Sequence, residues 1–322
     1  MASDTAPPRA TGKTKRDLSY PPLPEPLSVP IYDNHTHLDP AVSSGGRIQD
    51  GEIPLTYSEH LDRASSVGVR GVVQVGGDRR TSRWSAESAQ IEPRMLAAVA
   101  IHPNEAPRYA STGTLDDAIA EMSDLAAWPR VVAVGETGLD FFRTDEPGHS
   151  TQVRSFEAHI EIAKQNGLAL QIHDRNAHAE VIATLLRVGA PERTVFHCFS
   201  GDAEMARVCA ENGWYMSFAG NVTFGNAHDL RAALSVAPRH LLLVETDAPF
   251  LTPMPHRGRP NAPYLLPNTL RMMARHLETD VSLLSAQITS NTELVYGRWD
   301  AEPVTAAHDA VNRDLNPIGG LA

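Results

Sequence analysis

The chain has 322 residues, 42% of them hydrophobic, and a formal net charge of −11. That length accommodates one domain of ~250 residues with tails, and the apolar fraction suffices for a sizeable core. The acidic balance argues against a protein that coats nucleic acid non-specifically, because neutralising phosphates needs a surplus of Lys and Arg. It leaves room for a phosphate ester held locally by metal ions and a few arginines. No apolar run approaches the ~20 residues of a membrane span, and the N-terminus lacks the apolar stretch of a secretory signal. Cys198 and Cys209 sit in no metal or redox spacing. The expectation is a cytoplasmic monomer with no membrane partner.

Residues 1–28 are Pro-rich and polar and read as a flexible tail. From Val29 to Arg298, short apolar runs alternate with amphipathic stretches, the pattern of a parallel sheet flanked by helices. Residues 299–322 read as a C-terminal extension. Eight strands are expected. The first is VPIYDNHTH at 29–37, then VRGVVQVG from Val69, LAAVAIHP from Leu96 and RVVAVGE from Arg130. LALQIH from Leu168, TVFHCFS from Thr194, WYMSF from Trp214 and LLLVETDAPF from Leu241 follow. Thr56-Tyr57-Ser58-Glu59 forms a capping box, opening a helix that Gly68 ends. Asp202 caps another, and Leu270, Met273, Ala274 and Leu277 mark a late one. Eight strand–helix units close a (β/α)8 TIM-type barrel. A doubly wound sheet would carry a Gly-rich phosphate loop after its first strand, where this chain has His35-Thr36-His37 instead.

Active sites of such barrels lie at the C-terminal ends of the strands. His35 and His37 share one face of the first strand. Strand four ends at Glu136, strand five at His173, strand six at His197 and strand eight at Asp247. One histidine at a strand end is commonly a satisfied polar group, but six ligand-type residues on five strand ends point to a metal site. Imidazoles with carboxylates suit zinc, manganese or iron, and carboxylates tolerate magnesium. Six ligands exceed one tetrahedral set, so two ions are expected, with Glu136 as the bridge because no lysine lies at a strand end. Two ions ~3.5–4 Å apart suit displacement at phosphorus or attack on a carbonyl. Asp247 is the candidate to accept the proton of the attacking water. His102, in Ile101-His102-Pro103, is a candidate to orient a phosphate or protonate a leaving group. Arg175, Arg257 and Arg259 are weaker candidates for phosphate contact. Strand alternation turns Cys198 away from His197, towards the helices. Phe141, Phe142 and Phe224 are candidates for stacking a base.

These motifs resemble the TatD family of metal-dependent deoxyribonucleases. The resemblance rests on Asp33-Asn34-His35-Thr36-His37-Leu38, GETGLD at 135–140, Gln171-Ile172-His173, FHCFSG at 196–201 and ETDAPFL at 245–251. It extends over 29–298 and implies an amidohydrolase-type barrel and divalent-metal-dependent hydrolysis of DNA, often as a 3′-to-5′ exonuclease on DNA ends or single strands. It also implies His35, His37, Glu136, His173, His197 and Asp247 as ligands. The chain departs from the family's His-Pro-His motif, keeping His102 but placing Asn104 at the second position. The alternative within the family is an ester or amide hydrolase such as a D-aminoacyl-tRNA deacylase, since one metal–water pair attacks carbon as readily as phosphorus.

Overall fold

Each expected apolar run forms a parallel strand in the computed structural model, which describes residues 17–40 and 54–299. The strands are β1 (Ile31–Thr36), β2 (Val69–Val75), β3 (Met95–Val99) and β4 (Val131–Asp140) in the first half. β5 (Ala169–Arg175), β6 (Thr194–Phe196), β7 (Tyr215–Phe218) and β8 (Leu242–Val244) form the second. They pair in sequence order from β1 to β8. The seam between β8 and β1 is closed just past the strand ends, where Asp247 N donates to His35 O at 3.0 Å and His37 N to Ala248 O at 2.8 Å. Buried side chains reinforce it: Asn34 Nδ2 donates to Val244 O at 2.7 Å, and Asp33 Oδ1 accepts from Thr246 N at 2.9 Å. The fold is the (β/α)8 barrel.

Period-2 alternation sorts each strand's residues between two apolar regions. Ile31, Val72, Ile172, Phe196 and Leu242 pack outward under the helices. Tyr32, Val73, Leu96, Ala133, Val195 and Leu243 point inward as an apolar floor, which Tyr296 and Trp299 plug from below. Two residues further along the strands lie the buried polar groups Asn34, Gln171, Ser217 and Glu245. Two further again come His173 and Asp247, while His197 stands two residues past Val195. The interior therefore grades from apolar to polar to ionisable as the strands run towards their C-terminal ends.

The helix signals act as expected. Thr56 Oγ1 accepts from Glu59 N at 3.2 Å while Glu59 Oε2 accepts from Thr56 N at 2.8 Å, and the helix spans Tyr57–Ser66. Asp202 accepts from Glu204 N and Met205 N, both at 3.0 Å. The late helix spans Leu266–His276, with Leu277 just past its end. Among the described residues no helix is long and apolar enough to cross a membrane.

Three boundaries differ from the sequence reading. β4 does not stop at Glu136 but pairs with β5 as far as Asp140 opposite Arg175. Its two glycines permit this: a Cβ at Gly135 would collide with Gln171 Cβ, and one at Gly138 with the His173 carbonyl. Residues 17–28, read as part of a flexible tail, lie along the barrel. Arg259 Nε donates to Ser19 O at 3.0 Å, Tyr264 Oη to Pro21 O at 2.7 Å, and Leu27 N to Val67 O at 3.0 Å. Prolines cannot pair as a strand, but their carbonyls accept from whatever donors the barrel offers. At the other end, Trp299 belongs to the barrel, stacked on Tyr32 at 4.0 Å with its Nε1 donating to Val72 O at 3.0 Å.

Candidate metal centre

The six residues expected as ligands converge at the C-terminal mouth. His35 and His37, at the end of β1, bring their Nε2 atoms within 3.3 Å of each other. Asp247, three residues past β8, places Oδ1 3.5 Å from His37 Nε2 and 4.0 Å from His35 Nε2. Glu136 lies between the two sides of the mouth. Its Oε1 is 3.5 Å from His37 Nε2, while its Oε2 is 2.8 Å from His197 Nε2 and 3.1 Å from His173 Nδ1.

The outward ring nitrogens of the four histidines each face an acceptor, which fixes their tautomers. His37 Nδ1 donates to Val75 O at 3.0 Å. Gln171 uses both amide hydrogens, on Asn34 O at 2.7 Å and Tyr296 Oη at 2.8 Å, so its Oε1 accepts from His35 Nδ1 at 3.1 Å. Glu245 Oε1 accepts from His197 Nδ1 at 3.2 Å, and Asp140 Oδ2 from His173 Nε2 at 3.3 Å. With the outer nitrogens protonated, the inner ones present lone pairs to one another and to two carboxylates. Such an arrangement needs positive charge at its centre, and a metal-ligating imidazole held by an outer carboxylate or carbonyl has this geometry. The donor set therefore fits divalent cations.

The electrostatics agree. Burial pushes His35 well below 6.5, and the neighbouring His197 adds to that shift. Burial opposes a charge on His197 too, but Glu136 and Glu245 hold it well above 6.5. Burial alone would raise Glu136; the charges of His197 and His102 and hydrogen bonds from His173 and His197 hold it well below the usual carboxylate range. A field that keeps a proton on a buried imidazole beside an ionised carboxylate also favours a metal cation.

His102 differs from the other four. Its Nδ1 accepts from Asn104 N at 3.0 Å, so in the neutral ring Nε2 carries the proton, and Nε2 lies 3.8 Å from Glu136 Oε2. Burial pushes its pKa down to about 3, against the opposing pull of Glu136. A neutral imidazole with an inward N–H is a hydrogen-bond donor towards the centre.

A cavity of about 450 Å³ opens above these groups, and Arg175 lines it as expected. Arg257 is exposed, outside that lining, with its guanidinium 4.1 Å from the Phe224 ring. Arg259 turns from the mouth to hold Ser19 and Tyr20. Cys198 corrects the sequence reading: β6 ends at Phe196 and Cys198 has φ 41, so alternation no longer governs it. Its thiol lines the cavity instead, 3.8 Å from Asn221 Nδ2.

Sequence reasoning gave no role to Gln171, Glu245, Asp140 or Asn104. Three of them were visible as inward polar residues two positions before or near a ligand. Asn104 takes over a structural task at its unusual position, donating from Nδ2 to Asp140 Oδ2 at 3.0 Å while its Oδ1 accepts from Thr144 Oγ1 at 3.1 Å.

Comparison with known proteins shows the family. The profile described as TatD related DNase matches residues 32–297. The chain belongs to this family. A Mycobacterium tuberculosis member named as an uncharacterized metal-dependent hydrolase TatD is 43% identical over 83% of this chain and 98% of its own length. A member from Escherichia fergusonii, named 3′-5′ ssDNA/RNA exonuclease TatD, is 33% identical over 79% of this chain and 97% of its own. The crystal structure of YJJV, a TatD homologue from Escherichia coli, superposes with a TM-score of 0.74 at 24% identity. It covers 83% of this chain and 98% of that one and shares the barrel fold.

Proposed function

We propose that this chain is a divalent-metal-dependent exonuclease that removes nucleotides from the 3′ end of single-stranded nucleic acid, DNA foremost. The observation that carries the reading is the convergence of four inward imidazole nitrogens on Glu136 and Asp247. The names of related proteins support a phosphodiester substrate.

His35, His37 and Asp247 would hold one ion, His173 and His197 the other, with Glu136 bridging because each of its oxygens faces a different set. Zinc, manganese and magnesium all suit these donors. When bound, such a pair lowers the pKa of water and neutralises charge developing on phosphorus. Asp247, at the mouth with 13% of its side chain exposed, is placed to take the proton of the attacking water. His102 would donate a hydrogen bond from Nε2–H to the leaving oxygen or to a non-bridging phosphate oxygen. The groups behind this centre, Asn34, Gln171, Ser217 and Glu245, are buried, and burial strengthens each of these interactions.

The test is metal analysis of the purified protein, stripping with a chelator, and digestion of a 5′-labelled single strand with magnesium, manganese or zinc restored. A ladder shortening from the 3′ end with release of 5′-mononucleotides is expected, and none without metal. Cleavage of D-aminoacyl esters with no cleavage of oligonucleotides under any metal would refute the reading.

A further inference from the structure

Beside the metal-ligating groups, the cavity is lined by two arginines that the reaction centre does not use, and an exposed aromatic ring lies against one of them. Arg143 and Arg175 both line the cavity. Several other arginines are tied to acids, as Arg79 and Arg83 are to Glu121 and Arg94 is to Glu92, and others to backbone carbonyls, as Arg130 and Arg231 are. Among the described residues, no carboxylate pairs with Arg143 or Arg175 within 4 Å. In a chain of net charge −11, two unneutralised guanidiniums at the mouth of a site mark a place for an anion.

Phe142 lies next to this lining, between Asp140 and Arg143 in the chain. It is 60% exposed, so its ring is accessible to a base from solvent. The Arg175 guanidinium lies 4.0 Å from its centroid. Stacking of this kind leaves the edge N–H groups of the arginine free to grip a phosphate. The other aromatic candidates are committed elsewhere. Phe141 stacks on His149 at 3.7 Å, and Phe224 lies beneath Arg257, away from both Arg143 and Arg175 in the contacts it makes.

The turn bearing these residues is held in place. Asp140 Oδ1 accepts from Phe142 N at 3.1 Å and from Arg143 N at 2.9 Å, while its Oδ2 accepts from His173. One carboxylate thus orients a histidine of the centre and the turn beside it, so their relative positions are set.

We propose that Phe142, Arg143 and Arg175 form a subsite for the penultimate nucleotide of a single strand, the base stacking on Phe142 and its phosphate gripped by the two guanidiniums. This rests on the exonuclease reading. The cavity has the size of a small-ligand pocket and takes the terminal nucleotide; Phe142 and the two arginines take its neighbour. Stacking and phosphate contact read neither base identity nor a 2′-hydroxyl, so DNA and RNA single strands are both accommodated. A paired base, already stacked in its own duplex, must unpair to use Phe142.

The test is a cycle of two perturbations. Wild type and Phe142→Ala are assayed on a 5′-labelled octamer, on the same octamer with an abasic penultimate position, and on bis(p-nitrophenyl) phosphate. Removing either the base or the ring lowers kcat/KM roughly five- to hundredfold relative to the small diester. Removing both costs little more than removing one. Arg143→Ala and Arg175→Ala lower kcat/KM on the octamer and weaken its salt dependence. Additive losses in the cycle, or equal cleavage of intact and abasic strands by wild type, overturn the subsite while leaving the exonuclease intact. Failure of wild type to cut any diester with any metal overturns both.

Discussion

Gln171 offers the sharpest test of how the barrel interior builds the metal centre. It is fully buried, touches His35, Asn34 and Tyr296, and stands one layer below the ligands. Gln171→Leu keeps the volume and removes every polar contact. His35 Nδ1–H then loses its acceptor, a buried unsatisfied donor costing ~1–3 kcal/mol. The carbonyl of Asn34 and the Tyr296 hydroxyl each lose a donor at ~0.5–1.5 kcal/mol, which brings the sum to roughly 2–6 kcal/mol. That is a large part of the ~5–15 kcal/mol by which domains are stable. A second effect falls on metal binding, because His35 loses the bond that fixes its tautomer and its ring orientation, and affinity should drop by ~10–100-fold. Urea unfolding of the chelator-treated protein measures the first quantity, and competition for zinc against a chromophoric chelator measures the second. Gln171→Glu separates them: it keeps an acceptor for His35 but loses both donors, so stability falls while more of the metal affinity survives. If Gln171→Leu matched wild type in both unfolding free energy and zinc affinity, the argument that an outward hydrogen bond sets the inward lone pair of His35 would be wrong.

Asn104→Ala removes a hydrogen bond to the Asp140 carboxylate, and about a tenfold loss in kcat/KM on an oligonucleotide is expected; a change within twofold would show that Asp140 holds His173 unaided. His159 is buried, with Nδ1 donating to Ser155 O at 2.7 Å and Nε2 accepting from Ile101 N at 3.0 Å. Burial pushes it from 6.5 to about 4. The folded state thus favours the neutral ring, so its stabilisation is complete above pH 6.5 and drains as pH falls towards 4, by roughly 3 kcal/mol. His159→Gln should flatten the fall of the urea midpoint over that window, and an unaltered slope would assign the acid sensitivity to other groups. Arg259→Ala releases residues 17–21 from the barrel, at a cost of ~1–3 kcal/mol and with faster proteolysis near Ser19. Its kcat/KM on oligonucleotides should stay within twofold of wild type, and a loss as large as that of Arg175→Ala would put Arg259 back at the mouth.

The chain alone determined the barrel and the six candidate ligands because both are written in local pattern. An apolar run that stops at His173 or His197 is at once a buried strand and a strand end, and a barrel has one rim to which such ends can go. The partners of those ligands were decided by tertiary structure. Gln171 meets His35 across 136 residues of sequence, and Glu245 meets His197 across 48. No local period relates such pairs, since they depend on the stagger of neighbouring strands and on glycines that let β4 and β5 approach. Cys198 turned the other way because alternation holds only while the backbone is extended, and β6 ends two residues before it. Proline content led residues 17–28 to be read as a flexible tail, although it excludes only pairing as a strand. Only the barrel, with Arg259, Tyr264 and the Val67 carbonyl in position, decided that they would nonetheless be held.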